Sequence, residues 1–126
     1  MTIAIFGTPY PEHFSKYIQH LIKKLEAEHV KIIVEEKFNT FLQKDIRFNK
    51  NIETFSSYEE LKNNAEFLFS IGGDGTLLKA VTYVRDSSIP IMGINTGRLG
   101  FISSISAGKI DDAINDILKN NFTINK

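Results

Sequence analysis

Short apolar runs alternate along the chain with stretches in which apolar residues recur every three or four positions, and these two periods predict strands and helices in succession. TIAIF at 2–6 is rich in strand formers and ends at GTPYP, where Gly7, Pro9 and Pro11 bar continuation of either regular form. Over 12–28, Phe14, Tyr17, Ile18, Leu21, Ile22 and Leu25 fall three or four apart, predicting an amphipathic helix, and VKIIVEE at 30–36 predicts a second strand. The segment 37–56 mixes a short helical pattern at 38–44 with polar, asparagine-bearing loop sequence. SYEELKNN at 57–64 predicts one or two helical turns, with Ser57 and Glu60 spaced as a capping box. EFLFSI at 66–71 is apolar on both faces, as a central parallel strand requires.

After it, TLLKAVTYVR at 76–85 predicts a helix with Thr76 as N-cap, and IPIMGI at 89–94 predicts the next buried strand, which completes a βαβ unit. Helical spacing returns at 108–120 through Ile110, Ala113, Ile114, Ile117 and Leu118, and FTIN at 122–125 opens an alternating strand pattern. No segment repeats and none is of low complexity. The succession predicts one α/β domain whose open, mostly parallel sheet is flanked by helices and binds ligands at the loops leaving the strands' carboxyl ends. Two glycine-bearing loops, at 72–76 and 95–101, lie at such ends.

Composition narrows the partner. The 126 residues carry 15 basic and 15 acidic side chains, so the formal charge is zero, and with 42% hydrophobic residues the chain suits one globular domain. A neutral balance without a basic block argues against a nucleic-acid partner held by its phosphates and favours a small ligand. No cysteine is present, which excludes disulfides and thiolate metal sites and makes a reducing cytoplasm the expectation. MTIAIFGTPY lacks the basic flank and long apolar stretch of a signal peptide, and no apolar run reaches a membrane-spanning length. His13, His20 and His29 sit at spacings that suit solvated or partly packed histidines better than metal ligands, and Lys44, Arg47 and Lys50 read as a solvated face.

SIGGDGTLLKA at 70–80 is the stretch with chemistry in it. Gly72, Gly73 and Gly75 let the backbone approach a ligand, and the helix that follows offers unpaired N–H groups and a positive dipole end, so the loop can seat an anion. Asp74 would repel a phosphate there unless it coordinates a metal or takes a proton from an attacking hydroxyl, although an acid at a helix start is equally a common cap. Lys79, in the first turn of the expected helix, opposes the macrodipole unless an anion lies nearby. The loop lacks the G-x-x-x-x-G-K-[ST] of a P-loop, and Leu78 stands where a dinucleotide fingerprint needs its third glycine.

GGDGT at 72–76 resembles the signature of the superfamily that contains NAD kinases, diacylglycerol and sphingosine kinases and, more distantly, 6-phosphofructokinases. GINTGRLGF at 93–101 resembles the N-x-G-x-L-G-F pattern of the NAD kinases, so the chain is similar to their Rossmann-like N-terminal domain over its whole length, 1–126. The resemblance implies ATP-dependent phosphorylation of the adenosine ribose 2′-hydroxyl of NAD, with Asp74 as the base that accepts the hydroxyl proton. It implies Gly75 beside NAD, Gly72, Gly73 and Thr76 lining the phosphate site, and Lys79 as the basic residue that contacts the dinucleotide. It places Asn95, Arg98 and Phe101 on the adenine side, Phe101 being equally readable as a core aromatic that pins the loop. A divalent cation such as Mg²⁺ would come with ATP or polyphosphate, no metal being held by the protein itself. Full-length members are expected to be cytoplasmic homo-oligomers with a further β-rich domain, which these residues do not contain, and the 126-residue chain alone is expected to have little activity. A lipid kinase domain and a non-catalytic flavodoxin-like module are the competing readings. Neither an amphipathic basic helix nor paired acids after the first strand favours them.

Overall fold

A computed structural model describes residues 1–49, 51–62, 64–84, 87–95, 104–105, 111–112 and 114–115. Its strands are β1 (Thr2–Gly7), β2 (Lys31–Glu35), β3 (Glu53–Phe55), β4 (Phe67–Gly72), β5 (Ile91–Asn95) and β6 (Ser104–Ile105). The helices are α1 (Ser15–Ala27), α2 (Glu36–Leu42), α3 (Tyr58–Leu61) and α4 (Asp74–Val84), with a 3-10 turn at Glu12–Phe14 leading into α1. Among the described residues the strands form one sheet in the order β3-β2-β1-β4-β5-β6, every neighbouring pair parallel. This is the strand order of Rossmann-type sheets, and it reverses direction between β1 and β4.

Both faces of the sheet are covered, which is why its strands are apolar at nearly every position. On one face Ile3, Ile5, Ile32, Val34, Phe67, Phe69 and Ile71 pack against Ile18, Leu21, Ile22 and Leu25 of α1 and Phe38 and Leu42 of α2. On the other, the intervening residues Ala4, Phe6, Ile33 and Leu68 meet Leu61 of α3 and Ala80 and Val84 of α4. Each face is therefore the odd or even half of the same strands. The chain leaves α1 through His29, whose φ of 60° is the left-handed conformation of a helix stop, and Val30 N–H reaches back to Leu25 O at 3.0 Å.

The segment 37–56 contains more structure than its pattern suggested. Glu35, buried at the end of β2, accepts hydrogen bonds from Lys37 N–H (2.9 Å) and Phe38 N–H (3.0 Å) and so caps α2. The following loop is held by one side of α1. Ser15 donates to the Asp45 carboxylate, Gln19 exchanges hydrogen bonds with the Arg47 backbone at 2.9 and 2.8 Å, and Glu26 accepts from Asn49 N–H at 2.7 Å. β3 follows as an edge strand whose inward anchor is Phe55. Of the helix expected at 108–120, Asp111, Asp112, Ile114 and Asn115 are helical and Ile114 joins the core, while the strand expected at 122–125 lies outside the described residues. Among the described residues no helix is long and apolar enough to cross a membrane.

Candidate functional site

Strand register brings together Gly72 and Asn95, the first residues of the two glycine-bearing motifs. Gly72, the last residue of β4, pairs with Asn95, the last residue of β5, and Gly7 at the end of β1 pairs with Ile71. The exits of three adjacent strands are thus level, at the point where the strand order reverses. In open α/β sheets that crevice is where ligands bind.

Gly72 is required by packing. Its φ is 154°, and a Cβ at this position would lie 2.4 Å from Thr76 Oγ1, 2.8 Å from Thr76 Cβ and 2.9 Å from Thr8 Oγ1. The space a side chain would need is filled by a hydrogen bond between the hydroxyls of Thr8 and Thr76, 2.8 Å apart, in which either can donate. Thr76 is consequently buried and turned inward. Helix α4 starts at Asp74, two residues before the expected N-cap, with Leu77 N–H bonded to Gly73 O at 3.1 Å as an early helical contact. Thr76 is therefore a first-turn residue and not the cap. The position before the helix belongs to Gly73, which has no side chain to cap with.

Gly73 and Gly75 differ from Gly72. Among the described residues, a Cβ added at either would meet no atom within 4 Å, and both glycines are exposed. None of the described residues around them demands glycine there. The half-buried Asp74 stands between them in the first turn of α4, where backbone N–H groups lack intrahelical acceptors and the dipole favours negative charge. Lys79 lies one turn beyond Gly75, in the second turn rather than the first, and is exposed. Helical side chains lean toward the N-terminus, so its stem inclines over the open surface beside Gly75. The arrangement offers backbone donors, one carboxylate and one ammonium group within the first two turns of one helix, a constellation suited to a phosphate-bearing ligand with a hydroxyl to be deprotonated. Asn95 contributes its backbone pairing to Gly72, while Arg98 and Phe101 lie outside the described residues.

Two residues at this end of the sheet carried no motif. Thr8 follows β1 and hydrogen-bonds through its N–H to Ile71 O at 3.1 Å. Tyr10 is buried among Phe14, Phe38 and Phe41, with its ring edge-on to Phe41 at 4.9 Å, and burial pushes its phenol up to about 12. The strand stop GTPYP was the available signal for both: a loop leaving a strand next to the reversal point faces the crevice. A cavity of about 380 Å³ lined by Glu26, His29, Lys31 and Glu53 lies at the amino ends of β2 and β3, the opposite end of the sheet from Gly72. His20 is not simply solvated, since its Nε2 lies 2.7 Å from Asp111 Oδ1, and both side chains are about half exposed.

Known proteins resemble the chain throughout. The profile of the ATP-NAD kinase N-terminal domain family matches residues 3–122. An NAD kinase from Christiangramia forsetii is 37% identical over 124 residues, covering 98% of this chain and 42% of that protein. One from Flavobacterium psychrophilum is 39% identical over 126 residues, covering 100% of this chain and 43% of that protein. The chain thus spans about two fifths of the length of these curated relatives. Among solved structures, yeast NADH kinase in complex with NADH superposes with a TM-score of 0.74 at 19% identity, over 94% of this chain and 36% of that one, and so shares the fold.

Proposed function

The chain belongs to the ATP-NAD kinase N-terminal domain family, and on that premise we propose that it is the portion of an NAD kinase that seats the phosphates and supplies the catalytic base. The observation that carries this reading is the contrast among the glycines. Gly72 is needed by its neighbours, whereas Gly73 and Gly75 flank Asp74 at positions where no atom of the described residues stands within reach of an added side chain.

In the proposed reaction Asp74 accepts the proton of the adenosine ribose 2′-hydroxyl of NAD as that oxygen attacks the terminal phosphorus of ATP. A bond forms between the ribose oxygen and phosphorus, the bond to the bridging oxygen breaks, and ADP leaves with that electron pair. The N–H groups around Gly73 and Gly75 hold phosphate oxygens, and Lys79 offsets their charge. The loop offers one carboxylate, so a divalent cation would be held chiefly by the nucleotide phosphates and would neutralise charge on the transferred group. Polyphosphate is an alternative donor with the same anhydride chemistry. Asn95, Arg98 and Phe101 are proposed on the adenine side. The remaining contacts, and any homo-oligomeric assembly in the cytoplasm, belong to the proposal for the protein at its relatives' full length.

The test is Asp74→Asn in a polypeptide of that full length. NADP formation from NAD and ATP is expected to fall roughly a hundred- to ten-thousand-fold, the contribution of a positioned general base, with the thermal midpoint unchanged. Turnover within a few-fold of the parent would remove Asp74 from the reaction.

A further inference from the structure

We infer that Thr8 is a positioning residue that sets the first turn of α4, and through it the glycine loop. Three observations converge on it. Thr8 N–H bonds to Ile71 O at 3.1 Å, which carries the β1–β4 ladder one residue past the end of β1. Thr8 Oγ1 lies 2.8 Å from Thr76 Oγ1, a link between residues 68 apart in sequence that ties the exit of β1 to the first turn of α4. Gly72 lacks the Cβ that would stand 2.9 Å from one hydroxyl oxygen and 2.4 Å from the other. The bridge therefore passes directly beneath the turn that bears Gly73, Asp74 and Gly75.

A helix held only by its apolar face can rock about that face. The apolar residues of α4 in the core, Ala80 and Val84, lie in the second half of the helix. Its N-terminal turn is pinned by the half-buried hydroxyl pair instead, through the buried Thr76. A hydrogen bond is directional in a way that apolar packing is not, so it fixes where the turn's N–H groups and Asp74 point. Thr8 need not touch a ligand to do this. Its consequence for binding rests on the nucleotide reading given above, while its effect on the turn does not.

The test compares Thr8→Val, which keeps the shape and removes the hydroxyl, with Thr8→Ser, which keeps the hydroxyl. Amide hydrogen exchange is followed without ligand in the 126-residue proteins, and NAD is titrated into the same variants at the relatives' full length, well below the melting temperature. In Thr8→Val the Leu77 amide is expected to exchange roughly threefold to tenfold faster, the effect of one lost hydrogen bond, while the amides of Ile5 and Leu68 keep their rates. NAD affinity is expected to fall by a similar factor, and Thr8→Ser is expected to restore both. The inference is overturned if Thr8→Val matches the parent, if its exchange rises equally in the strands, or if Thr8→Ser fails to rescue. Should the parent bind no NAD, the nucleotide reading fails alone and the exchange comparison still decides the role of Thr8.

Discussion

Replacing Gly75 with alanine should make the domain more stable and its ligand site worse. Gly75 is the second residue of α4, and a Cβ placed on it meets no atom of the described residues within 4 Å. The added methyl therefore clashes with none of the described residues, and alanine has fewer backbone states to lose on folding than glycine. In a helix interior that difference is worth about 0.5–1 kcal/mol, with the lower end appropriate to a first turn. For a domain of this size it corresponds to a rise of roughly 2–4 °C in the unfolding midpoint. The same methyl occupies the space assigned to NAD, so affinity should fall about tenfold or more, or at least about 1.4 kcal/mol. Scanning calorimetry of the free protein gives the first quantity and calorimetric titration with NAD the second. A midpoint that falls by several degrees would show that the fold does need glycine at 75. Undiminished NAD binding alongside a raised midpoint would show that the open space is not the ligand's.

The same substitution at Gly72 should act with the opposite sign, costing about 1–3 kcal/mol in urea denaturation, because the new Cβ lands 2.4 Å from Thr76 Oγ1 and 2.9 Å from Thr8 Oγ1; an unchanged midpoint would contradict the packing described. Leu68→Ala in the central strand β4, where Leu68 is fully buried, should lose about 2–5 kcal/mol by the same assay, and a loss below about 1 kcal/mol would mean that the site collapses around the vacancy. Burial holds the Tyr10 phenol near 12 against an ordinary 10.0, so its neutral form is favoured by the folded state and the associated stability is whole below pH 10 and lost as pH rises toward 12. That loss is at most about 2.7 kcal/mol, and Tyr10→Phe should make the alkaline decline measurably shallower between about pH 10 and 12, the span of the shift; identical slopes would refute it.

Much of the architecture was legible because strands and helices advertise burial through local periods. Each two-sided apolar run became a sheet strand, and the helical spacing from Phe14 to Leu25 became the turn and helix that cover one face. β3 escaped notice because an edge strand of three residues needs only one buried anchor, Phe55. The start of α4 was displaced by two residues because Thr76, a good cap by type, is drawn inward by Thr8. Glu35 looked like the end of a strand and is the cap of the next helix, an assignment that depends on backbone geometry at positions 37 and 38.

What the sequence determined by itself was the alternation of elements, the two glycine-bearing motifs and the acid between the glycines, all of which are properties of neighbours within a few residues. Only the tertiary structure decided that β1 lies beside β4, that Gly72 meets Asn95, and that Thr8 reaches Thr76. It also separated one glycine that its neighbours require from two that none of the described residues requires. The physical reason is the same in each case. A periodic pattern states which face of an element is buried, but not which distant segment buries it. Whether a missing Cβ prevents a clash or leaves room for a ligand depends on atoms that approach from elsewhere in the chain.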